Sequence, residues 1–337
     1  MEKQKKSISF YSVIARYREL PLIGILILLL ALVSVLVPGY LKASYMNILK
    51  GGSIELVMAC GMLCVLLIGS IDISVAGVLA FSGSLAGMLM RDGYIHSIFG
   101  MFVVGIGVGA LFGALSGVLV AYGKVLPIIV TLGMSYVARA LIPMDWMLGL
   151  NKISPTDLST VFRNFMLKNY FLGLPYLVWI AIIVVVLMWI LLRYTRTGRN
   201  LYAVGSNEEA ARVRGVHLNL IKVLAHTICG ATAGLGGIMW LGYYNAIEKV
   251  SATGEEMFVI AVCVLGGVAV TGGYGKIMGV VIGAIMIATI NSAIPQVFIS
   301  NTMITELFKG ILILLAILLN VSLSRAATRR DLVGRNI

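Results

Sequence analysis

Residues 193–222, RYTRTGRNLYAVGSNEEAARVRGVHLNLIK, separate two long apolar runs near residues 174–192 and 221–243. Each run is long enough to cross the hydrocarbon core of a bilayer, which takes about 20 residues of helix. The segment between them is rich in Lys and Arg, as cytoplasmic loops of membrane proteins are. The pattern predicts two membrane helices joined by a cytoplasmic connection.

The composition extends this prediction to the whole chain. Of its 337 residues, 60% are hydrophobic and 12% charged, whereas soluble domains are about a quarter charged. Ten membrane helices of about 20 residues would leave too little chain for a built-in ATPase, a DNA-binding module or a secreted enzyme. The net charge of +12 therefore indicates membrane topology rather than a nucleic-acid partner.

Apolar runs bounded by polar, Gly or Pro residues predict an all-α integral membrane protein with about ten transmembrane helices. The run at 257–271 is short for a span, so we expect it to be tilted, broken or re-entrant. The predicted spans lie near residues 21–38, 52–69, 73–90, 98–122, 126–148, 174–192, 221–243, 257–271, 278–299 and 304–323.

The distribution of basic residues predicts that both termini are cytoplasmic. With the N-terminus inside, 17 of the 26 Lys and Arg residues fall in cytoplasmic segments and 7 in outside loops. The chain then divides into a basic arm at 1–20, a single transmembrane domain at 21–323 and a basic tail at 324–337. Within the arm, residues 8–18 suit an interfacial helix.

Five spans in each half predict an inverted 5+5 repeat, in which the second half is inserted upside down relative to the first. Glycines at every fourth residue from Gly105 to Gly117 predict close packing of the fourth span against another helix. Pairs separated by 170 residues support the repeat: Gly109 and Gly279, Gly113 and Gly283, Ala114 and Ala284, and Arg139 and Lys309.

A short helix is predicted inside the cytoplasmic connection. Ser206 begins a capping-box pattern with Glu209, and Gly215 stands where a helix would stop. Such a helix could be a passive elbow or could dock into a groove on a soluble partner. The candidate docking residues are Ser206, Asn207, Glu208, Glu209, Ala210, Ala211, Arg212, Val213, Arg214 and Gly215.

Polar residues at the predicted spans are candidates for a gate or a solute pathway. Asp72, with Ser74, can cap the third span or contribute to a gate. The intramembrane charges Arg139 and Lys309 can snorkel to the interface, pair with Asp145 and Glu306, or fix the two halves together. A polar patch in the ninth span would suit sugar hydroxyls, although such groups also bond between helices. The patch consists of Asn291, Ser292 and Gln296.

No catalytic or metal site is predicted. All four cysteines fall in apolar stretches, which is typical of small core residues. The three histidines, His96, His217 and His226, are too scattered for a ligand cluster. The sequence also lacks a P-loop, because its one lookalike has Val270 and Ile277 at positions that require Gly and Ser or Thr.

Four motifs resemble the permease subunits of ribose/galactose-type ATP-binding-cassette importers. GRNLYAVGSNEEAARVRGV (198–216) is similar to the coupling segment of that family, and LLIGSIDISVAGVLAFSG (66–83) to its G-I-D-L-S-V-G signature. Ala76 departs from that signature, where glycine is usual. VTLGMSYVARALI (130–142) and VLGGVAVTGGYGKIMGVVIGAI (264–285) resemble two later family stretches.

This resemblance implies a subunit of the bacterial inner membrane that binds no cofactor itself. A separate ATPase subunit would bind ATP and Mg, and a periplasmic binding protein would deliver a monosaccharide or similar small polar solute. A second permease subunit would complete a homodimer or heterodimer, and residues 207–215 would transmit movements of the ATPase. An ion-coupled secondary transporter and an intramembrane enzyme are the alternatives.

Overall fold

The computed structural model describes residues 19–142, 160–168 and 170–297, with scattered helical positions between 307 and 318. Within these residues the chain forms twelve helices and one two-stranded hairpin. The helices are α1 (Glu19–Leu36), α2 (Tyr40–Leu67), α3 (Val75–Arg91), α4 (Ile98–Ala121), α5 (Pro127–Leu141), α6 (Thr160–Leu167), α7 (Tyr176–Tyr194), α8 (Arg196–Ser206), α9 (Glu208–Val213), α10 (Leu218–Tyr244), α11 (Glu255–Leu265) and α12 (Ile277–Val297).

The structure confirms a mostly helical protein with apolar helices long enough for a membrane. Five described helices, α2, α4, α7, α10 and α12, have the length and hydropathy of a membrane span. The shorter apolar helices lie at Pro21–Leu36, Val75–Arg91 and Pro127–Leu141. Between α6 and α7, strands β1 (Tyr170–Phe171) and β2 (Leu174–Pro175) pair antiparallel.

Helix α2 lies at the centre of the bundle. In its most apolar stretch 78% of the residues are buried, against 28% in α4 and in α7. It packs against α7, α10, α11 and α12, and its buried residues include Cys60 and Cys64. Because α4 and α7 keep apolar side chains exposed, they suit a lipid-facing periphery.

The glycine stripe of α4 packs closely against α10, as predicted. A Cβ atom on Gly109 or Gly113 would overlap the backbone at Gly230 or His226. One on Gly117 would lie 2.7 Å from the Cα atom of Val223. Glycine therefore lets the two helical backbones approach each other directly.

The start of the second span was predicted twelve residues too late. Helix α2 begins at Tyr40, because Lys42, Asn47 and Lys50 lower the hydropathy without interrupting the helix. Gly52, at the predicted start, lies inside the helix, where an added Cβ would approach Ala288 to 2.8 Å. Gly52 therefore marks a contact between α2 and α12 rather than a turn.

Only the first part of the predicted eighth span is helical. Helix α11 ends at Leu265, and Gly267, Gly272 and Gly273 then adopt positive φ angles. These angles favour glycine and form a compact connection before α12. Residues 1–18 of the predicted basic arm, the basic tail, Asp145, Glu306 and Lys309 lie outside the described residues.

Candidate functional site

The connection predicted from residues 193–222 forms two helices, α8 and α9, at one end of the bundle, here called the coupling end. Thr195 begins α8, and its Oγ1 accepts a hydrogen bond from the Gly198 amide at 3.1 Å. Gly198, Leu201 and Val204 are buried at helical spacing, so α8 packs along one face.

The N-terminus of α9 is capped by Asn207, not by Ser206 as predicted. The Oδ1 atom of Asn207 accepts a hydrogen bond from the Ala210 amide at 2.9 Å. Ser206 is the last residue of α8, and its hydroxyl donates to the Tyr202 carbonyl at 2.8 Å. Both residue types cap helices. Because α8 continues through Ser206, the chain turns between α8 and α9 at Asn207, whose backbone is extended.

Helix α9 ends at the predicted glycine. Gly215 has φ +82°, and its amide donates to the Arg212 carbonyl at 2.9 Å. The Val216 amide donates to the Ala211 carbonyl at 3.1 Å, which completes a Schellman motif. Glu208 and Glu209 in the first turn and Arg212 in the last complement the helix dipole.

The outer face of α9 is mixed in character. Ala211 is buried, while Glu209, Arg212 and Val213 are exposed. Val213 is 88% exposed. The helix therefore presents charges of both signs and an apolar side chain to anything that approaches this end.

The segment α8–α9 is held to the bundle by a close backbone contact and a side-chain hydrogen bond. A Cβ on Gly205 would overlap the Leu67 carbonyl at the end of α2, and the same carbonyl accepts from the Gly273 amide at 2.9 Å. The Tyr202 hydroxyl donates to the Gly275 carbonyl at 2.7 Å. Burial raises the pKa of Tyr202 to about 12, so the hydroxyl keeps its proton at neutral pH.

An ion pair connects α9 to α10. Lys222 Nζ lies 2.8 Å from Glu208 Oε1, and both side chains are partly exposed. Such a pair contributes only about 0–1 kcal/mol, but it joins the short helix to a long membrane helix. Beside it lies a cavity of about 390 Å³ that includes Lys124 and Arg212, so α9 has open space on one side.

Asp72, the predicted cap or gate residue, belongs to a buried network at the same end. Its Oδ1 accepts from the Ser74 amide at 2.9 Å and from the Ser74 hydroxyl at 2.5 Å. Its Oδ2 lies 3.1 Å from His226 Nδ1, and His226 Nε2 lies 3.2 Å from Ser70 Oγ. Asp72 contacts the residue before α3, and it links α3 to α10.

Two of the predicted polar residues of span nine line a cavity at the opposite end of the bundle. The cavity has a volume of about 260 Å³. The Asn291 amide donates to Glu55 Oε1 at 2.9 Å. Gln296 lies outside it and donates to Ser44 Oγ at 3.0 Å, which ties α12 to α2. The lining residues are Asn47, Gly51, Gly52, Ile54, Glu55, Trp240, Tyr243, Tyr244, Glu255, Ala288, Asn291 and Ser292.

Sequence reasoning missed Glu55 and the aromatic residues of this cavity. Glu55 is a buried carboxylate inside an apolar helix, and a charge at such a position is itself a signal of function. Trp240, Tyr243 and Tyr244 end an apolar helix, where aromatic residues are also typical of a membrane interface. Their position against Glu55 depends on the packing of α2 against α10.

Arg139 holds a loop at this opposite end. Its Nη1 donates to the carbonyls of Lys249 and Ser251 at 2.6 and 3.0 Å. These carbonyls belong to the connection between α10 and α11, so Arg139 positions the loop that precedes Glu255. The structure thus separates the predicted pathway residues into two groups, with Asp72 and Ser74 at the coupling end.

The four cysteines are buried and free, as expected of core residues. Among the described residues, no group of three or more His, Cys, Asp or Glu side chains could hold a metal ion. His96 and His217 are exposed, whereas His226 is fully buried in the Asp72 network.

Comparison with known proteins relates the chain to membrane permeases. Residues 44–317 match the family described as branched-chain amino acid transport system permease component. The ribose import permease protein of Escherichia coli strain K12 is 35% identical over 301 residues, 88% of this chain and 91% of that protein. That of Bacillus subtilis strain 168 is 32% identical over 95% of this chain and 97% of that protein.

A second kind of import system is nearly as similar. The autoinducer 2 import system permease protein of Escherichia coli strain K12 / DH10B is 33% identical over 315 residues, 90% of this chain and 88% of that protein. No solved structure matches the chain significantly.

Proposed function

The chain belongs to the family of branched-chain amino acid transport system permease components, and we propose that it carries a monosaccharide or a similar small polar solute into a bacterial cell. It is the membrane-spanning permease subunit of an ATP-binding-cassette import system and not itself an ATPase. The driving force is ATP hydrolysis on a separate ATPase subunit, which binds ATP and Mg.

The proposed topology has ten spans and places both termini and the coupling end in the cytoplasm. Lys124, Arg212, Lys222 and Lys276 all lie at the coupling end, in agreement with the positive-inside rule. The cavity with Glu55 then opens toward the outside, on the side from which a periplasmic binding protein delivers the solute. The protein works in the inner membrane.

Helix packing supports an inverted repeat. In a 5+5 arrangement, α4 corresponds to α12 and α10 corresponds to α2. The structure packs α4 against α10 and α12 against α2, which are the two contacts that the symmetry exchanges. Glycines mediate both, through Gly109 in the first and Gly52 in the second.

The observation that carries the coupling role is the exposed face of α9 on an anchored support. Val213, Glu209 and Arg212 face outward, while Tyr202 and Gly205 connect α8 to Gly275 and Leu67. A movement of α9 would therefore be transmitted to α2, α10 and the connection before α12. Nucleotide-driven closure of the ATPase subunits would move these helices and alternate the access of the solute pathway.

The proposed solute class rests on the relatives and on the cavity that Glu55 lines, here called the outer cavity. The two kinds of relatives import ribose and autoinducer 2. The cavity offers amide, carboxylate and aromatic groups, which suit a small polyhydroxylated molecule. A second permease subunit, identical or different, completes the assembly, and nucleic acid has no part in it.

Buried carboxylates give the ion-coupled alternative a specific basis. Glu55 and Asp72 are 8% and 1% exposed, and carriers driven by ion gradients use such groups near the middle of the membrane. That alternative predicts transport without an ATPase. The purification described next distinguishes the two mechanisms, because only the importer requires an ATPase.

Purification of the tagged chain from its native membrane in mild detergent tests the coupling role. We expect a stoichiometric ATPase to accompany the wild-type chain and to be lost from the double variant Glu209→Arg with Arg212→Glu, because the charges that face the partner are reversed. The readouts are the composition of the purified complex and its rate of ATP hydrolysis.

The matched control reverses an ion pair at the opposite end. Arg91 Nε lies 2.7 Å from Asp92 Oδ1, and the double variant Arg91→Asp with Asp92→Arg should keep the ATPase. If the Glu209 and Arg212 variant retains a fully active ATPase, α9 is not the coupling element.

A further inference from the structure

The outer cavity combines four elements around one buried carboxylate. Glu55 comes from α2, Trp240 and Tyr244 from α10, Glu255 from the start of α11, and Asn291 from α12. These helices are distant in sequence, so the cavity exists only in the folded bundle.

The polar groups of the cavity are fixed before any ligand arrives. Asn291 Nδ2 donates to Glu55 Oε1 at 2.9 Å, which sets the orientation of both side chains. The Oδ1 atom of Asn291 is buried and has no hydrogen-bond partner among the described residues. A buried acceptor of this kind favours a ligand that donates a hydrogen bond, because an unsatisfied polar atom is costly.

Aromatic rings form another part of the wall. The ring centroids of Trp240 and Tyr244 are 4.3 Å apart, and those of Tyr243 and Tyr244 are 4.8 Å apart. The rings therefore support each other as a rigid group. Together with the acceptors of Glu55 and Asn291, they suit a ligand with an apolar ring face and hydroxyl groups at its edge.

Size and charge restrict the ligand further. The volume of about 260 Å³ lies below the ~300–1,000 Å³ typical of sites for drug-sized molecules. The carboxylates Glu55 and Glu255 oppose the binding of an anion.

We propose that this cavity is an outward-facing binding site for one neutral cyclic monosaccharide, in which Glu55 and Asn291 accept hydrogen bonds from its hydroxyls and Trp240 contacts its ring. The inference rests on the proposed transport function and adds the place and the chemistry of solute recognition. The binding protein passes the solute to this site before it moves toward the coupling end.

Tryptophan fluorescence of the assembled importer, without its binding protein, tests the site. The probes are D-ribose, D-glucose, D-ribose 5-phosphate, sucrose and choline, each titrated to about 10 mM, a range that covers weak binding. We expect saturable quenching by at least one of the two monosaccharides. Binding of D-ribose 5-phosphate, sucrose and choline should be at least about ten-fold weaker.

Variants locate the response in the cavity. Trp240→Phe should remove the quenching, whereas Trp179→Phe, at the hairpin beside Phe171, should retain it. Glu55→Gln and Asn291→Ala should each weaken monosaccharide binding about ten-fold, because each removes an acceptor. Association of these variants with the ATPase shows that they have folded and assembled.

Several results would overturn the assignment. They are absence of a response to both monosaccharides, a response to choline of equal strength, and quenching that persists in Trp240→Phe. Failure of ATP-driven uptake of every solute would instead refute the proposed transport function. Normal uptake by the Glu55→Gln and Trp240→Phe variants would refute the binding site but not the transport function.

Discussion

At the scale of single residues, Asp72 shows how one carboxylate connects separate elements. It accepts hydrogen bonds from the amide and hydroxyl of Ser74 and contacts His226 across 154 positions of sequence. A carboxylate that is 1% exposed is stable in such a place only when its oxygens have partners. The network therefore fixes the start of α3 against α10 at the coupling end.

Removal of this carboxylate should destabilise the protein strongly. Asp72→Ala leaves the buried donors of Ser74 and His226 without their acceptor, so we expect a loss of about 3 kcal/mol. Thermal unfolding of the detergent-solubilised protein measures it. Ser70→Ala removes only the last contact of the network and should cost about 1 kcal/mol. Equal stability of Asp72→Ala and wild type would refute the structural role.

Tyr202 provides a second test at this scale. Tyr202→Phe removes the hydrogen bond to Gly275 and should cost about 1 kcal/mol, while the exposed Tyr136→Phe should cost nothing measurable. Burial raises the pKa of Tyr202 from 10.0 to about 12 in the folded protein. Its contribution is therefore complete below pH 10.0 and is lost as the pH rises toward 12. The difference in unfolding temperature should be constant between about pH 6 and 9, and a steep change within that range would contradict the assignment.

At the scale of elements, the predictions succeeded where apolar pattern and helix signals coincide. Gly215 ended α9 and the glycines of α4 marked a close contact, because in both cases only glycine fits the backbone. The N-cap of α9 is Asn207 and not the predicted Ser206. Both residues can cap a helix, and the tertiary packing of α8 decides between them. The beginning of α2 was missed because its first turns are polar, although the helix is continuous.

The α4–α10 contact gives a test with an internal control. Gly113→Ala places a methyl group against the His226 carbonyl, so we expect a loss of about 1–3 kcal/mol from overpacking. Gly107 lies on the same helix, and a methyl group added there would meet nothing within 4 Å. Gly107→Ala should therefore be neutral or stabilising by up to about 1 kcal/mol. Unfolding temperatures that rank the two variants in the opposite order would contradict the packing.

At the scale of the whole molecule, the proposed coupling helix and the proposed solute site lie at opposite ends of one bundle and contact the same helices. α2 carries Glu55 in the outer cavity and ends at Leu67, where α8 is anchored. α10 carries Lys222 and His226 near its start and Trp240 near its end. Rigid helices that contact both sites can transmit movement between them. The sequence could not reveal this arrangement, because the cavity depends on which helices become neighbours.

Uptake of radiolabelled D-ribose into proteoliposomes tests the central claim most directly. The vesicles contain the purified complex of this chain with its ATPase, receive the binding protein outside, and hold ATP and Mg or ADP and Mg inside. The account predicts accumulation that requires ATP and continues when ionophores abolish ion gradients. Accumulation by this chain alone, driven by an ion gradient and independent of ATP, would contradict it.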